Sequence, residues 1–338
     1  MDRALQLAAR GIALASPNPM VGAILVREGK TIGEGFHTYD GVRHAEIVAL
    51  ESVARQVAEK SGDPGEGPAG SFVGRAFRYD ISPANPSGVL APEDVRADNL
   101  AAGGAAQGAT LYINLEPCCH TGRTGPCTKA LIAAGIARVV AAMPDPNPSV
   151  AGRGFRELRA AGIEVAVGLR EVEARRLNEA FARWIVSRKP LVTLKSALTL
   201  DGQLVLPGSH GRAPRKNPWI TSPESRAEVQ TMRHASDALL TGIGTVLADD
   251  PLLTDRTGLP RRRKLLRVVM DSRLRLPLRS KLVRSADGDV LIFTRAKENS
   301  SKARALRRAG VEVARLSGSR GTAPDLRAAI EELGRRGI

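Results

Sequence analysis

The chain has 338 residues, 43% of them hydrophobic, which is long enough for about two domains with cores of their own. No apolar run approaches the roughly 20 residues that cross a bilayer, and this composition argues against a membrane partner. Arg3 and Arg10 interrupt the N-terminal stretch, which therefore predicts an amphipathic helix rather than a signal peptide. Three cysteines and no export signal predict a cytoplasmic protein with reduced thiols.

The formal charge of +15 is unevenly distributed. Residues 1–150 contain 13 basic and 15 acidic side chains, whereas residues 151–338 contain 37 and 20. The basic second half favours anionic ligands, either nucleic acid or small phosphates. A solvated, arginine-rich surface explains the same excess equally well.

The first half alternates helices and strands in the order of a layered α/β domain. The turn signals SPNP and DPNP separate several of these elements. We predict helices over about 3–13, 42–57 and 128–136, and strands at 21–26, 31–36, 110–115 and 138–143. Residues 59–108 break the pattern with Gly, Pro and small residues, and we interpret them as an inserted loop with a short ordered piece at 72–81.

Further along the chain, residues 151–190 predict a helix, the strand IEVAVGL and another helix, and end the first domain with a connector. A second α/β unit follows. Its apolar runs LVTLKSAL, ALLTGI, LLRVVMDS, DVLIFT and VEVARL predict buried parallel strands. Helices are expected at about 223–234, 301–309 and 324–336. The predicted domains are therefore 1–150, 151–190 as connector, and 191–338.

All three cysteines, Cys118, Cys119 and Cys127, lie in the stretch NLEPCCHTGRTGPC. An odd number of thiols with no partner elsewhere fits a disulfide poorly, and chance is a second explanation. Thiolates at close spacing also bind zinc, and a zinc site needs three or four ligands. The cluster therefore predicts another ligand elsewhere, with one position left for water if the site is catalytic.

His44 and Glu46 supply what the cysteine cluster lacks. An H-x-E sequence upstream of P-C-x(n)-C is the signature of the zinc-dependent nucleobase deaminases, and Cys127 follows Cys118 by nine residues. One imidazole and two thiolates would hold one Zn²⁺ per chain and leave its fourth position for water. Glu46 would move a proton from that water to the leaving amine. Cys119 could replace Cys118, but we favour Cys118 because it directly follows Glu-Pro.

These residues belong to a longer pattern that extends over both halves of the chain. It comprises SPNPMVGAILV, GEGFHTYDGVRHAEIVAL, GATLYINLEPCCHTGRTGPCTKALIAAGIARVVAAMPDPNPSVAGRG, KSALTLDGQ, WITSPESRAEVQTMR, GIGTVLADDPLLT and RVVMDSRLRLP. With these motifs, the chain closely resembles the bifunctional deaminase/reductase family of riboflavin biosynthesis, from residue 1 to about 295 apart from the insertion.

The resemblance implies a cytidine-deaminase-like α/β/α sandwich in the N-terminal half. This domain would remove the 2-amino group of 2,5-diamino-6-(5-phosphoribosylamino)pyrimidin-4(3H)-one, a small-molecule substrate. The family's zinc ligands fall on His44, Cys118 and Cys127, and its proton carrier falls on Glu46. Its deaminase substrate contacts fall on Asn18, His37, His120, Asp145 and Asn147.

For the second half, the resemblance implies a dihydrofolate-reductase-like α/β domain. With NADPH, it would reduce the ribosyl group of the deaminated product to a ribityl chain. Substrate contacts fall on Asn217, Arg233, Leu253 and Arg256, and cofactor contacts fall on Ala197, Trp219, Thr245, Asp249 and Ser272. Lys195 is a further candidate at the end of a predicted strand. A guanidinium fork can hold a phosphate with two hydrogen bonds, which suits the two arginines.

Three departures from the family pattern are visible. Asn217 stands where the family usually has Ser, and Gly125 stands where Pro is usual. The family also continues beyond the last predicted helix with a strand and a glycine-rich loop that contact substrate and cofactor, whereas this sequence ends at Ile338. We therefore expect an incomplete second domain, and deamination without appreciable reduction.

Two other classes of function stay open at this point. A tRNA deaminase could use the basic second half to hold nucleic acid, but only 3% of residues are aromatic and could stack on bases; we therefore expect no nucleic-acid partner. A non-enzymatic zinc module would close all four metal positions with protein ligands. The sequence is compatible with a homo-oligomer.

Overall fold

The computed structural model describes residues 1–61, 104–203, 219–316 and 325–338, which form two compact units. Most of the predicted insertion and Asn217 lie outside the described residues, and no described helix is long and apolar enough to cross a membrane. Unit 1 comprises Met1–Ala9, Val21–His37 and Val42–Ala174, and unit 2 comprises Arg10–Met20, Thr38–Gly41 and Arg175–Ile338. The predicted domain boundaries stay a prediction.

Unit 1 is built on a five-stranded sheet with the order β2-β1-β3-β4-β5. The second strand in this order, β1, is antiparallel to both neighbours, while β3, β4 and β5 are parallel. Its strands are β1 (Gly22–Arg27), β2 (Lys30–Phe36), β3 (Thr110–Ile113), β4 (Arg138–Ala141) and β5 (Glu164–Val167). The parallel half has helical crossovers between its strands, and the loops that follow β3 and β4 leave the same edge of the sheet.

Helices cover this sheet through small residues that allow close packing. They are α1 (Asp2–Ala9), α2 (Ala45–Ser61), α3 (Cys127–Ala133), α4 (Arg153–Ala160) and α5 (Glu171–Leu177). A Cβ on Gly35 of β2 would lie 2.3 Å from the Ala45 carbonyl oxygen, so the backbones of β2 and α2 are in direct contact. The core between sheet and helices contains Leu25, Leu111 and Leu131, all fully buried.

Unit 2 contains a four-stranded parallel sheet with the order β6-β7-β8-β9. Its strands are β6 (Ala238–Gly242), β7 (Leu266–Met270), β8 (Val290–Thr294) and β9 (Val311–Arg315). Its helices are α6 (Glu179–Ser187), α7 (Pro223–Ala235), α8 (Ile243–Asp249), α9 (Lys281–Arg284), α10 (Ser301–Arg308) and α11 (Leu326–Arg335). Ser222, Ser280 and Ser300 cap α7, α9 and α10 with side-chain oxygens that accept backbone N–H groups.

One predicted strand is wrong. The run LVTLKSAL, residues 191–198, has no regular secondary structure, and Leu194 is 90% exposed. An apolar run becomes a strand only where a neighbouring strand accepts its hydrogen bonds, and in the described chain this run pairs with none. The first helix also ends at Ala9 rather than 13, and the helix expected from 42 begins at Ala45.

Candidate metal centre and active site

Two helix starts and one loop of unit 1 position the predicted metal ligands. His44 directly precedes α2, and its carbonyl oxygen accepts the Val48 N–H at 3.1 Å, as at the start of a helix. Cys127 is the first residue of α3, fully buried behind Pro126. Cys118 lies in the loop after β3, where its carbonyl oxygen accepts the Thr128 N–H at 3.2 Å. The strand-loop-helix setting expected for these residues is present.

The ligand atoms of His44, Cys118 and Cys127 lie within 4.8 Å of one another. His44 Nδ1 is 3.2 Å from Cys127 Sγ and 3.4 Å from Cys118 Sγ. The Cys127 N–H also points to Cys118 Sγ at 3.4 Å. Cys119, the sequence alternative to Cys118, is not a member of this cluster.

The pKa values of the two cluster thiols are shifted in opposite directions. The hydrogen bond from Cys127 lowers the pKa of Cys118 to about 4, with a further contribution from His44 against the effect of burial. The same hydrogen bond and complete burial raise the pKa of Cys127 well above its usual value. Burial lowers the pKa of His44, but the hydrogen bond to Cys118 and the nearby negative charges outweigh it and raise this pKa to about 9.

Glu46 lies in the first turn of α2 and is 3% exposed. Burial raises its pKa to about 7, against the opposing charge of His44. A buried carboxyl beside a metal cluster, and not part of it, can exchange protons with a group bound there.

The cluster fits zinc by its donor chemistry. One imidazole nitrogen and two thiol sulfurs are the donor set that Zn²⁺ prefers, and three protein ligands leave one coordination position open. The lowered pKa of Cys118 supplies a thiolate, which is the form that binds metal. Zinc is therefore the cofactor of unit 1.

Four of the predicted deaminase substrate contacts lie in unit 1. His37 is 3% exposed, and its ring meets the His44 ring edge-on at a centroid distance of 5.4 Å. Asp145 and Asn147 share the loop after β4, with Asp145 buried, whereas His120 is exposed in the loop after Cys118. The fifth, Asn18, lies in the segment Arg10–Met20 of unit 2.

Two buried polar residues of unit 1 escaped the sequence analysis. Asn114 Oδ1 accepts the Gly22 N–H at 2.8 Å at the end of β3, which ties β3 to β1. Glu116 accepts backbone N–H groups from residues 145, 152 and 155. Only the folded chain reveals these partners, because they are backbone groups far away in sequence.

The predicted phosphate-binding arginines of unit 2 lie at one end of α7. Arg233 Nη1 donates to the Thr254 carbonyl oxygen at 3.0 Å, and the Arg256 N–H donates to Gln230 Oε1 at 3.1 Å. Burial and the nearby charge of Arg256 lower the pKa of Arg233. Leu253 is buried and has a positive φ of 57°, which turns the chain between α8 and Arg256. The structure therefore brings Arg233, Leu253 and Arg256 together.

A buried ionic network, also unpredicted, supports this loop. Asp255 accepts from Arg261 at 3.0 Å and is 2.9 Å from His234 Nδ1. Its other oxygen accepts the Thr257 N–H at 2.9 Å. Desolvation raises the pKa of Asp255, but these hydrogen bonds outweigh it and hold the pKa below its usual range. Asp255 is thus held by Arg261, His234 and Thr257, which fixes the loop next to Arg256.

The predicted cofactor contacts of unit 2 are dispersed over several elements. Thr245 and Asp249 are exposed on α8, and Ser272 follows β7. Trp219 is 58% exposed, with the Arg226 guanidinium 4.9 Å from its ring centroid. Ala197 and the candidate Lys195 lie in the irregular run 191–198.

Fold and site together define a class. A mixed sheet with a His/Cys/Cys cluster and a buried glutamate beside it is a cytidine-deaminase-like zinc domain, and here it is followed by a second α/β domain. A family model described as the cytidine and deoxycytidylate deaminase zinc-binding region matches residues 1–143, and one described as the RibD C-terminal domain matches residues 190–338.

Relatives extend this match over the whole chain. The riboflavin biosynthesis protein RibD of Aquifex aeolicus is 40% identical over 319 residues, which cover 94% of this chain and 73% of the relative. The RibD of Escherichia coli is 41% identical over 256 residues, or 76% of this chain and 55% of the relative. A solved Thermotoga maritima structure, titled a diaminohydroxyphosphoribosylaminopyrimidine deaminase/5-amino-6-(5-phosphoribosylamino)uracil reductase, has a TM-score of 0.73 and 33% identity, covering all of this chain and 77% of that one.

The chain belongs to the RibD family of bifunctional riboflavin-biosynthesis enzymes. It is an enzyme that acts on a small molecule, with a zinc-dependent deaminase domain and a reductase domain whose cofactor is NADPH. The predicted family and both cofactors are confirmed. The roles of the individual site residues stay predictions.

Proposed function

We propose that unit 1 hydrolyses the 2-amino group of 2,5-diamino-6-(5-phosphoribosylamino)pyrimidin-4(3H)-one, with His44, Cys118 and Cys127 as zinc ligands. The observation that carries the proposal is the three-residue cluster with Glu46 buried next to it. When bound, zinc makes a coordinated water acidic enough to act as a nucleophile near neutral pH. Water adds at C2 of the pyrimidine, and ammonia leaves from the same carbon.

Glu46 is the proton carrier of this reaction. It takes a proton from the attacking water and gives it to the departing amine, so the carboxyl group returns to its starting state. Its position two residues after His44 keeps it beside the cluster without making it a ligand. His37, Asp145 and Asn147 are the neighbouring polar groups that would orient the pyrimidine.

Unit 2 is proposed to reduce the ribosyl group of the deaminated product with NADPH. Arg233 and Arg256 would hold the substrate phosphate, supported by a loop whose carboxylate Asp255 is already paired with Arg261 and His234. Hydride from NADPH would reduce the open-chain carbonyl of the sugar, and a proton would complete the new hydroxyl group.

One reaction tests both halves of the proposal. The zinc-loaded chain is given the diaminopyrimidine phosphoribosyl substrate with and without NADPH, and the products are identified by mass. We expect ammonia and the aminouracil product in both reactions. A ribityl product that appears only with NADPH would support the proposed reduction by unit 2, whereas its absence would contradict it.

A tRNA deaminase is the main competing function. Filter binding to tRNA separates the two, since a small-molecule enzyme should bind tRNA only weakly and in a strongly salt-dependent manner.

A further inference from the structure

Glu116 is a buried carboxylate that the proposed chemistry does not use. It lies in the loop after β3, two residues before Cys118, and is 3% exposed. Its Oε2 accepts the Gly152 N–H at 2.8 Å and the Asp145 N–H at 3.1 Å, and its Oε1 accepts the Phe155 N–H at 3.3 Å. A carboxylate that accepts backbone N–H groups forms some of the stronger hydrogen bonds in proteins.

The three N–H groups belong to a second loop, residues 145–152, and to the first turn of α4. We call this stretch the substrate loop, because it carries the predicted contacts Asp145 and Asn147. Within it, Asp145 Oδ1 accepts the Asn147 N–H at 2.8 Å, and the Asn147 carbonyl oxygen accepts the Val150 N–H at 2.8 Å. These turns fix the shape of the loop, whereas Glu116 fixes its position.

A second contact joins the same two loops. An ideal Cβ on Gly154 would lie 2.2 Å from the Pro117 carbonyl oxygen, closer than real Cβ atoms approach. The first turn of α4 therefore rests directly on the residue between Glu116 and Cys118. The metal-ligand loop and the substrate loop meet at Glu116 through hydrogen bonds and at Pro117 through van der Waals contact.

We infer that Glu116 is a positioning residue of the deamination reaction, which holds the substrate loop at a fixed place beside the metal cluster. The inference rests on the proposed deaminase function and extends it to a residue that touches neither metal nor substrate. With three N–H groups held, Asp145 and Asn147 are preorganised for the pyrimidine. Without these three hydrogen bonds, the substrate loop samples other positions, and only a fraction of the molecules can bind substrate at any moment.

The test compares Glu116→Gln with the wild-type full chain in zinc content, deamination kinetics and amide hydrogen exchange. Glutamine keeps the shape, but its NH2 group cannot accept an N–H, so at least one of the three hydrogen bonds is lost and the others lose the charge of the acceptor. We expect unchanged zinc content and a KM about tenfold higher, with kcat changed by less than about threefold, as for a smaller binding-competent fraction. The Asp145 and Gly152 N–H groups should exchange faster.

Glu157→Gln is the matched control. Glu157 lies on α4, and its Oε2 accepts the hydroxyl of the buried Thr128 at 2.9 Å, which links α4 to α3 without touching the substrate loop. The control should leave KM within about twofold of wild type, because such a link contributes stability and not loop position. An equal rise of KM in both variants would reduce Glu116 to a packing residue.

Glu116→Asp is the second variant, which keeps the charge with a shorter reach and should give an intermediate KM. Loss of zinc or of the fold in both Glu116 variants would overturn the inference, as would a wild-type KM in Glu116→Gln. A wild-type chain that releases no ammonia would defeat the proposed function instead. In that case amide hydrogen exchange alone tests the role of Glu116. Unchanged exchange of the Asp145 and Gly152 N–H groups in Glu116→Gln would then overturn the inference.

Discussion

At the residue scale, the deaminase chemistry depends on placing a carboxyl group near a metal without letting it coordinate. Glu46 and His44 are two positions apart at the start of α2, so one side chain joins the cluster and the other stays beside it. Burial keeps Glu46 away from bulk water, where its proton would be lost to solvent instead of reaching the leaving amine.

Glu46→Gln isolates this role. The substituted side chain has the same shape, so we expect a folded chain that retains zinc but cannot move protons. Deamination should fall by about 10²–10⁴-fold, the usual contribution of a general acid-base group. The measurement is ammonia release at saturating substrate, with zinc content measured on the same sample. Near-normal turnover would contradict the assignment.

The cysteines allow a matched comparison within one loop. Cys118→Ser and Cys127→Ser should each lose most of the zinc, because a serine hydroxyl stays protonated and is a poor zinc ligand. Cys119→Ser should retain it, because Cys119 lies outside the cluster. Metal analysis after dialysis measures all three. Zinc retained in Cys118→Ser and lost in Cys119→Ser would show that Cys119, and not Cys118, is the zinc ligand.

The sequence reveals the chemistry-bearing residues better than the residues that support them. His44, Cys118 and Cys127 are recognisable because thiols and an imidazole at characteristic spacing suit few other purposes. Glu116 and Asp255 act through backbone N–H groups and buried partners, and no spacing in the sequence marks such contacts. They became visible only when the fold brought those partners together.

At the scale of elements, the metal centre depends on how closely α2 approaches β2. Gly35→Ala should push these elements apart, because the new Cβ would lie 2.3 Å from the Ala45 carbonyl oxygen at the start of α2. We expect a loss of about 1–3 kcal/mol in the free energy of unfolding, as for other overpacked sites, and weaker zinc binding.

Gly125→Ala is the control for this prediction, since a Cβ there meets nothing within 4 Å. Chemical denaturation with zinc chelated and with zinc present separates the two effects. Equal stability of the Gly35 and Gly125 variants would show that β2 and α2 have room to separate.

In unit 2, α7 and the loop after α8 are the elements that bring two arginines together. Arg256→Ala should raise KM for the deaminated product by about 10- to 100-fold, since one charged hydrogen bond to phosphate contributes about 1.5–3 kcal/mol. Arg308→Ala, which removes an exposed arginine from α10, is the control. If turnover is slow, calorimetry measures the affinity of each variant for the deaminated product instead. Equal affinities of the two variants would contradict the phosphate role.

Regular elements follow the hydrophobic pattern closely where neighbours are available. Strands β7, β8 and β9 and helices α7 and α10 occur within one or two residues of their predicted positions. LVTLKSAL has an equally apolar sequence but forms no strand, because a strand depends on hydrogen bonds from a neighbour and not on its own composition. Helix ends are shifted for a related reason, since caps and packing decide them.

At the scale of the whole molecule, the chain combines two α/β units that serve two steps on one small molecule. Deamination in unit 1 makes the substrate that the reductase domain uses, and the strong positive charge of the second half suits a phosphorylated intermediate. Formation of the ribityl product with NADPH tests the second of these steps.

The most direct test of the central claim is ammonia release from the diaminopyrimidine phosphoribosyl substrate by the zinc-loaded full chain, without NADPH. We predict one ammonia per substrate molecule, activity that chelation abolishes and zinc restores, and a fall of about 10²–10⁴-fold in Glu46→Gln. A zinc-replete, folded chain that releases no ammonia, or full activity in Glu46→Gln, would contradict the account.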